Sequence, residues 1–464
     1  MYRLILALIA LIAVALLAWG VAYIDETYTI QIVEGKNQAC PGCQGVPAIL
    51  VALVVAGLLM IAALGGRIWQ FISALPARLA ERRAAQRKER GYVALTKGLA
   101  AVAAGDAKES AQLATKSKNL LKDQKLTALL SAQSAQLQGK EGVATGEFKR
   151  LLEDEETAFL GLRGLAMQAL REGRDVEALR YVKEAQELKP NAPWVLDLLY
   201  QLELRDGNAL GSAAAVKQAQ IGGYVGRDSA AARLAPLYTH EAQAALAKGE
   251  IDAAFTYSGK ALEQISGYLP AVLIRAKALL ALDKPGQAKS LLSRTWKKVS
   301  HPDMLPLYLQ ASNTDTDQKA KRAGLSLLKG SQSRAGQTAL GEFLLEHLDL
   351  APARTALEAA QDRGSARASQ ILDHVPAIEV ALAEGEGLEG DEAEEARQKA
   401  KDLVQVALTG PTDSAWLCAA CGSAHSDWQL HCSSCESTGT VEWQDLDDRR
   451  VVQPARGLIE RQAL

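Results

Sequence analysis

Arg171–Pro190 reads REGRDVEALRYVKEAQELKP, and its glycine, alanines and proline decide how the rest of the chain is read. Gly173 belongs to a series, because Gly105, Gly139, Gly173 and Gly207 each follow the last by 34 residues. After Gly173 come Ala178, Ala185 and then Pro190. A glycine at a fixed phase suits a turn that needs a left-handed backbone. Small residues at the next positions let one helix lie close to its neighbours, and a proline stops that helix. Gly249 restarts the phase with Ala254 and Ala261, and Asp283 takes the glycine position 34 residues later with Ala288 following. The unit is therefore a helix, a glycine turn and a second helix. Stacking such units buries a face that one unit cannot bury alone.

A 34-residue helix–turn–helix period resembles the tetratricopeptide repeat. The expected fold is all-α, a solenoid over residues 91–375. Apolar residues recur at three- and four-residue steps, as in Leu162, Leu165, Ala166 and Leu170. Between Gly207 and Gly249 the spacing is 42 instead of 34 residues, and Ile221–Asp228 (IGGYVGRD) is expected to form a loop or bend there. After Asp283 the register decays, and the sequence assigns no repeat phase beyond about residue 300. Glu379–Glu395 holds eight acidic and no basic residues, with three glycines among them. It predicts a flexible acidic segment within a linker-and-helix region at 376–410.

Two apolar runs precede the repeats. Leu4–Ile24 and Val46–Leu64 each reach the ~20 residues needed to cross a bilayer. The first is read as an anchor rather than a cleaved signal peptide, because its apolar core is long and its basic start is Arg3 alone. Arg67–Lys97 carries eight basic residues against two acidic ones, and the intervening loop, 25–45, is acidic. The positive-inside rule then puts both termini in the cytoplasm of a bacterial inner-membrane protein and the loop in the periplasm. Arg78, Arg82, Arg83, Arg87, Lys88 and Arg90, on a juxtamembrane helix at 67–90, are expected at the lipid headgroups. Cys40 and Cys43 in the loop form either a local disulfide or a dithiol. With a net charge of -2, the chain is not expected to bind nucleic acid.

The strongest chemical pattern lies in residues 411–464. Cys418, Cys421, Cys432 and Cys435 follow the spacing C-x2-C-x10-C-x2-C. Two such turns bring four sulfurs to the corners of a tetrahedron, which suits zinc or a rubredoxin-like iron. Four thiolates leave no open coordination position, so a hydrolytic centre is not expected. His425 and His431 are expected beside the site rather than in it. Trp416, Trp428 and Trp443 are expected to pack over the ribbon. No nucleophile motif or phosphate loop is present, no GxGxxG follows a strand, and no catalytic residue is assigned.

Gly98-Leu99, Ala104-Gly105-Asp106, the run Leu160-Gly161-Leu162-Arg163-Gly164-Leu165, Pro190 with Pro193-Trp194, Trp296, and His301-Pro302 with Tyr308 resemble the HemY family. That resemblance covers residues 1 to about 310. It implies an inner-membrane tetratricopeptide protein associated with a late stage of haem biosynthesis, with no catalytic residues and with haem-synthesis enzymes as partners. Cys40 and Cys43 depart from the family pattern, and haem binding has no support in the sequence. The four-cysteine segment, with Trp428 before its second pair, is similar to the ribbon of LapB-like proteins. That likeness implies an adaptor for lipopolysaccharide regulation or a membrane protease. LapB-like proteins have one span where this chain shows two.

Overall fold

The computed structural model describes residues 48–121, 124–386 and 388–445, together with Ile12, Ala15 and Trp19. The first predicted span falls mostly outside the described residues, and the loop with Cys40 and Cys43 falls wholly outside them. The described chain forms helix pairs: α1 (Ala48–Ala103) and α2 (Ala107–Leu120), α3 (Gln124–Leu137) and α4 (Glu141–Leu151), α5 (Glu155–Arg171) and α6 (Asp175–Leu188). They continue as α7 (Pro193–Arg205) and α8 (Ala209–Ile221), α9 (Arg227–Ala247) and α10 (Ile251–Gln264), α11 (Leu269–Ala281) and α12 (Pro285–Trp296). The last pairs are α13 (Met304–Ala311) and α14 (Asp317–Leu328), α15 (Arg334–Glu346) and α16 (Leu350–Gln361), α17 (Ala366–Ala383) and α18 (Asp391–Ala407). A sheet of β1 (Ser414–Cys418), β2 (Ala424–His425) and β3 (Val441–Asp445) follows, antiparallel in the order β2-β1-β3.

The 34-residue register is a backbone conformation. Gly105, Gly139, Gly173, Gly207 and Gly249 all sit between paired helices at φ of 69 to 79°. At Gly173 the amide donates to Leu170 O and the next amide, of Arg174, reaches back to Ala169 O. This left-handed cap satisfies two carbonyls at the end of the first helix. The same pair of bonds closes the turns at Asp283 and Leu348, whose φ values are 54° and 53°. Asn313 holds the equivalent turn at φ 46°. The repeat phase that the sequence loses after Asp283 therefore continues, carried by residues other than glycine.

Other expectations change in detail. The eight extra residues between Gly207 and Gly249 do not make a long loop. Gly222–Gly226 is a short turn, and α9 runs for 21 residues where α7 and α8 run for 13. The acidic segment is the end of α17, a turn, and the start of α18. Ala400, Val404 and Ala407 of α18 are buried, so this pair belongs to the helical stack and is not a flexible linker. The basic stretch 67–90 is the middle of α1, with no break at residue 67 or 91. Among the described residues, no helix is long and apolar enough to cross a membrane.

The chain divides into two compact units at residues 144 and 145, inside α4. In the first, the end of α1 packs on α2 and α3 through Leu95, Ala114, Leu121 and Leu130. Asp106 caps α2 by accepting from the amides of Lys108 and Glu109 at 3.0 and 2.8 Å. In the second, a continuous core runs from Leu196 to Val441 and includes the small sheet. The Gly161–Gly164 run has a packing reason. A methyl group on Gly164 would stand 2.2 Å from the Phe148 ring, itself buried in α4. Gly164→Ala should therefore destabilise this unit by about 1–3 kcal/mol, the usual penalty of overpacking. Urea denaturation of the full chain measures it, and an unchanged midpoint would refute the close contact.

Candidate metal centre

Each C-x2-C turn is built the same way, and the two turns face each other. Cys418 N donates to Ser423 O at 2.9 Å, and Gly422 N donates to Cys418 O at 2.7 Å. Cys432 N donates to Ser437 O, and Glu436 N to Cys432 O, both at 2.9 Å. The fourth residue after each leading cysteine is left-handed: Gly422 at 75° and Glu436 at 58°. Gly422 is readable in the sequence, whereas Glu436 hides the same conformation under a residue that rarely adopts it.

Facing turns bring all four sulfurs within 4.8 Å of one another. Cys418 and Cys435 stand 3.7 Å apart, as do Cys421 and Cys432. A tetrahedron with metal–sulfur distances of about 2.3 Å has edges of about 3.8 Å, so the cage fits a zinc- or iron-sized ion. All four thiols are free, and Cys418 and Cys432 are the buried members.

Hydroxyl groups surround the sulfurs, and the sequence did not mark them. Ser423 lies 3.1 Å from Cys421 Sγ and 3.3 Å from Cys432 Sγ. Ser437 lies 2.9 Å from Cys435 Sγ, and Thr440 lies 3.2 Å from Cys418 Sγ. Burial opposes ionisation of Cys432, but donation from Ser423 and from the Ser434 and Cys435 amides outweighs it and brings the thiol down to about 5. Donation from Ser437 favours ionisation of Cys435, yet the neighbouring sulfurs of Cys421 and Cys432 push it up to about 11. Four close sulfurs cannot all carry charge without a cation between them. His425 Nε2 sits 3.4 Å from Cys432 Sγ, and Gln429 fixes its other ring nitrogen at 2.8 Å. His431 is exposed and bonds Thr438 at 3.1 Å, away from the cage.

The ribbon is docked on the solenoid. Trp443 Nε1 donates to Ser300 O at 3.1 Å, and its ring meets His301 edge-on at 4.3 Å between centroids. Trp416 packs on both, at 5.4 Å from each. Trp428 meets Tyr268 edge-on at 6.4 Å. Burial holds the His301 imidazole below its ordinary value, with Asp303 pulling the other way, so it is neutral at pH 7. The tryptophans pack within the ribbon and also join it to the repeats. The strap between α18 and β1 is held by Arg367, 6% exposed. Its Nη1 donates to Thr409 O at 2.9 Å, its Nη2 donates to Leu408 O, and its Nε donates to Glu342 at 2.9 Å. Asp413 accepts from the Ser365 hydroxyl at 2.5 Å and from the Arg367 amide at 3.1 Å.

Ala178 and Ala254 are fully buried, and Pro190 follows the end of α6. Arg82, Arg83, Arg87, Lys88 and Arg90 lie exposed along α1, and Arg78 is in the same helix.

Residues 45–139 match the family model described as HemY protein N-terminus. Over that region the chain is similar to HemY proteins. No curated protein matches the chain. Among solved structures, one described as Naa15/Naa10 bound to HypK-THB is 15% identical, with a TM-score of 0.36, covering 69% of this chain and 55% of that one. This chain therefore spans little more than half of that structure's length. A tetratricopeptide repeat protein from Parabacteroides merdae is 11% identical, covering 69% and 100%, with a TM-score of 0.28. The TPR2AB domain of yeast Sti1 in its pHSP90 complex is 14% identical, covering 70% and 99%, with a TM-score of 0.27. The tetratricopeptide-like architecture of the chain rests on its own paired helices and repeated turns.

Proposed function

We propose that this HemY-type chain is a non-enzymatic scaffold, held at the bacterial inner membrane, that gathers protein partners of haem biosynthesis at the cytoplasmic face. What carries the reading is the run of left-handed turns from Gly173 to Leu348 within the second compact unit, each joining one helix pair of the stack. The HemY match at residues 45–139 supports the haem association. The second of the two proposed spans, 4–24 and 46–64, is supported by apolar side chains turned outward: Leu53, Leu59 and Met60 are all more than half exposed. The exposed Arg82–Arg90 stretch follows on the same helix, where anionic headgroups would meet it. The four cysteines hold zinc as a structural ion, since a filled tetrathiolate shell offers no position to a substrate.

Crosslinking in membranes followed by mass spectrometry tests the scaffold. Capture of haem-synthesis enzymes is the expected result. Capture of a membrane protease or lipopolysaccharide enzymes would favour a LapB-like adaptor, the second reading, which the docked four-cysteine ribbon supports. A third reading, redox or haem handling, would use Cys40 and Cys43 or iron in the four-cysteine cage. Colourless protein with one zinc per chain would exclude the iron form.

A further inference from the structure

Beside the docked ribbon lies a cleft of about 400 Å³ between α13 and α15. Its α13 wall is apolar, formed by Leu305, Pro306 and Leu309. Its other side carries three carboxylates, Glu342 and Glu346 on α15 and Asp413 on the strap, and Trp443 of the ribbon closes one end. The volume is that of a ligand pocket rather than a packing defect.

The charge in this cleft does not balance. Among the described residues, Arg367 is its one cationic lining residue, and its Nε is bonded to Glu342. His301, at the same end, is neutral at pH 7 for the reason given above. Asp413 is engaged by Ser365 and the Arg367 amide, neither of which supplies an ammonium or guanidinium group to it. Glu346, one turn on from Glu342, is exposed to the cleft. Burial, then the nearby Glu342 charge, holds its carboxyl above the ordinary range, with His347 pulling the other way. Three carboxylates against one guanidinium leave an excess of two negative charges facing an apolar wall.

We propose that this cleft is the seat of a basic side chain, arginine or lysine, on an extended segment of a protein partner. The aliphatic stem of such a residue would lie on Leu305, Pro306 and Leu309 while its cationic head meets Glu346 and Glu342. An apolar stem with a charged tip is what distinguishes these two residue types from other cations. The cleft exists only with the ribbon in place, because Trp443 and the strap supply its end. This inference rests on the scaffold reading and gives that scaffold a chemical preference.

The test uses the full-length protein and fluorescent nine-residue peptides with leucines flanking a central arginine, citrulline or glutamate. Citrulline keeps the shape of arginine and removes its charge. The arginine peptide should bind at least about tenfold more tightly than the citrulline peptide, and Glu346→Gln should erase most of that preference. Leu309→Ser should weaken arginine binding by removing part of the apolar wall on which the stem lies, with circular dichroism verifying that the helices remain. Equal binding of arginine and citrulline, a preference unmoved by Glu346→Gln, tighter binding of the glutamate peptide, or no binding would each overturn the proposal. Crosslinking with the Glu346→Gln protein separates the two readings. Haem-enzyme capture that persists at the wild-type level would leave the scaffold standing and remove this seat. Loss of capture in the wild-type chain as well would remove the scaffold.

Discussion

Stripping the metal from the tetrathiolate cage is expected to loosen the repeats under the ribbon as well as the ribbon itself. Structural zinc sites of this kind contribute apparent energies of about 10–16 kcal/mol at pH 7, and a segment this short has no core of its own to replace them. Without a cation, the four sulfurs within 4.8 Å of one another repel as they ionise. The ribbon is also not an appendage. Trp416, Trp428, Leu430 and Val441 lie in the same continuous core as Leu237, Trp296 and Tyr308. Each indole withdrawn from that core forfeits burial on the order of a few kcal/mol. Hydrogen exchange of the full chain with and without a strong chelator measures the effect. Protection should vanish over residues 414–445 and fall over residues 268–309, while residues 107–137 in the other compact unit stay unchanged. Cys432→Ser should reproduce the pattern and abolish the expected one ion per chain. Full protection of 414–445 after complete chelation would mean that the ribbon stands without metal.

What the sequence revealed and what it hid follow one physical rule. A left-handed turn is legible when glycine occupies it, because glycine reaches that conformation at little cost. Five of the turns within helix pairs are written that way, and the period follows from them directly. Asp283, Asn313 and Leu348 adopt the same conformation, and the packing around them holds it in place of residue preference. That is why the phase fades after residue 283 although the architecture does not. The acidic stretch misled for a related reason. Charge density and three glycines signal a flexible, solvated segment; its acidic residues are mostly exposed, yet they end α17 and begin α18, whose later Ala400, Val404 and Ala407 are buried. The metal cage was legible because its chemistry requires four sulfurs at fixed separations. Its surroundings were not. Ser423, Ser437 and Thr440 are ordinary loop residues until the two turns face each other, and Ser300 meets Trp443 across 143 positions of sequence. Pairings at that range leave no local pattern to read.

Arg367 is the second residue whose loss should be severe, and nothing near it in the chain announces this. Its guanidinium holds the strap carbonyls of Leu408 and Thr409 and the Glu342 carboxylate at once. Arg367→Met keeps much of the stem's volume but strands a half-buried carboxylate and two carbonyls. Breaking a buried pair from one side costs about 3–5 kcal/mol, most of it from the charge left behind. The dependence on pH distinguishes that cause from lost packing. Burial already pushes the Glu342 carboxyl above its ordinary range, and donation from Arg367 partly offsets this. Removing Arg367 raises it further in the folded state while the unfolded value stays at about 4.3. A folded state that holds its proton more tightly gains stability as pH falls through its own raised pKa, and that gain is complete below the unfolded value. The deficit of Arg367→Met relative to wild type should therefore shrink between pH 7 and about pH 4.5 in urea titrations. The double variant Arg367→Met/Glu342→Gln should recover part of the loss at pH 7 and show little of the pH dependence. A deficit that is the same at both pH values would assign the cost to packing and the strap carbonyls instead of to Glu342.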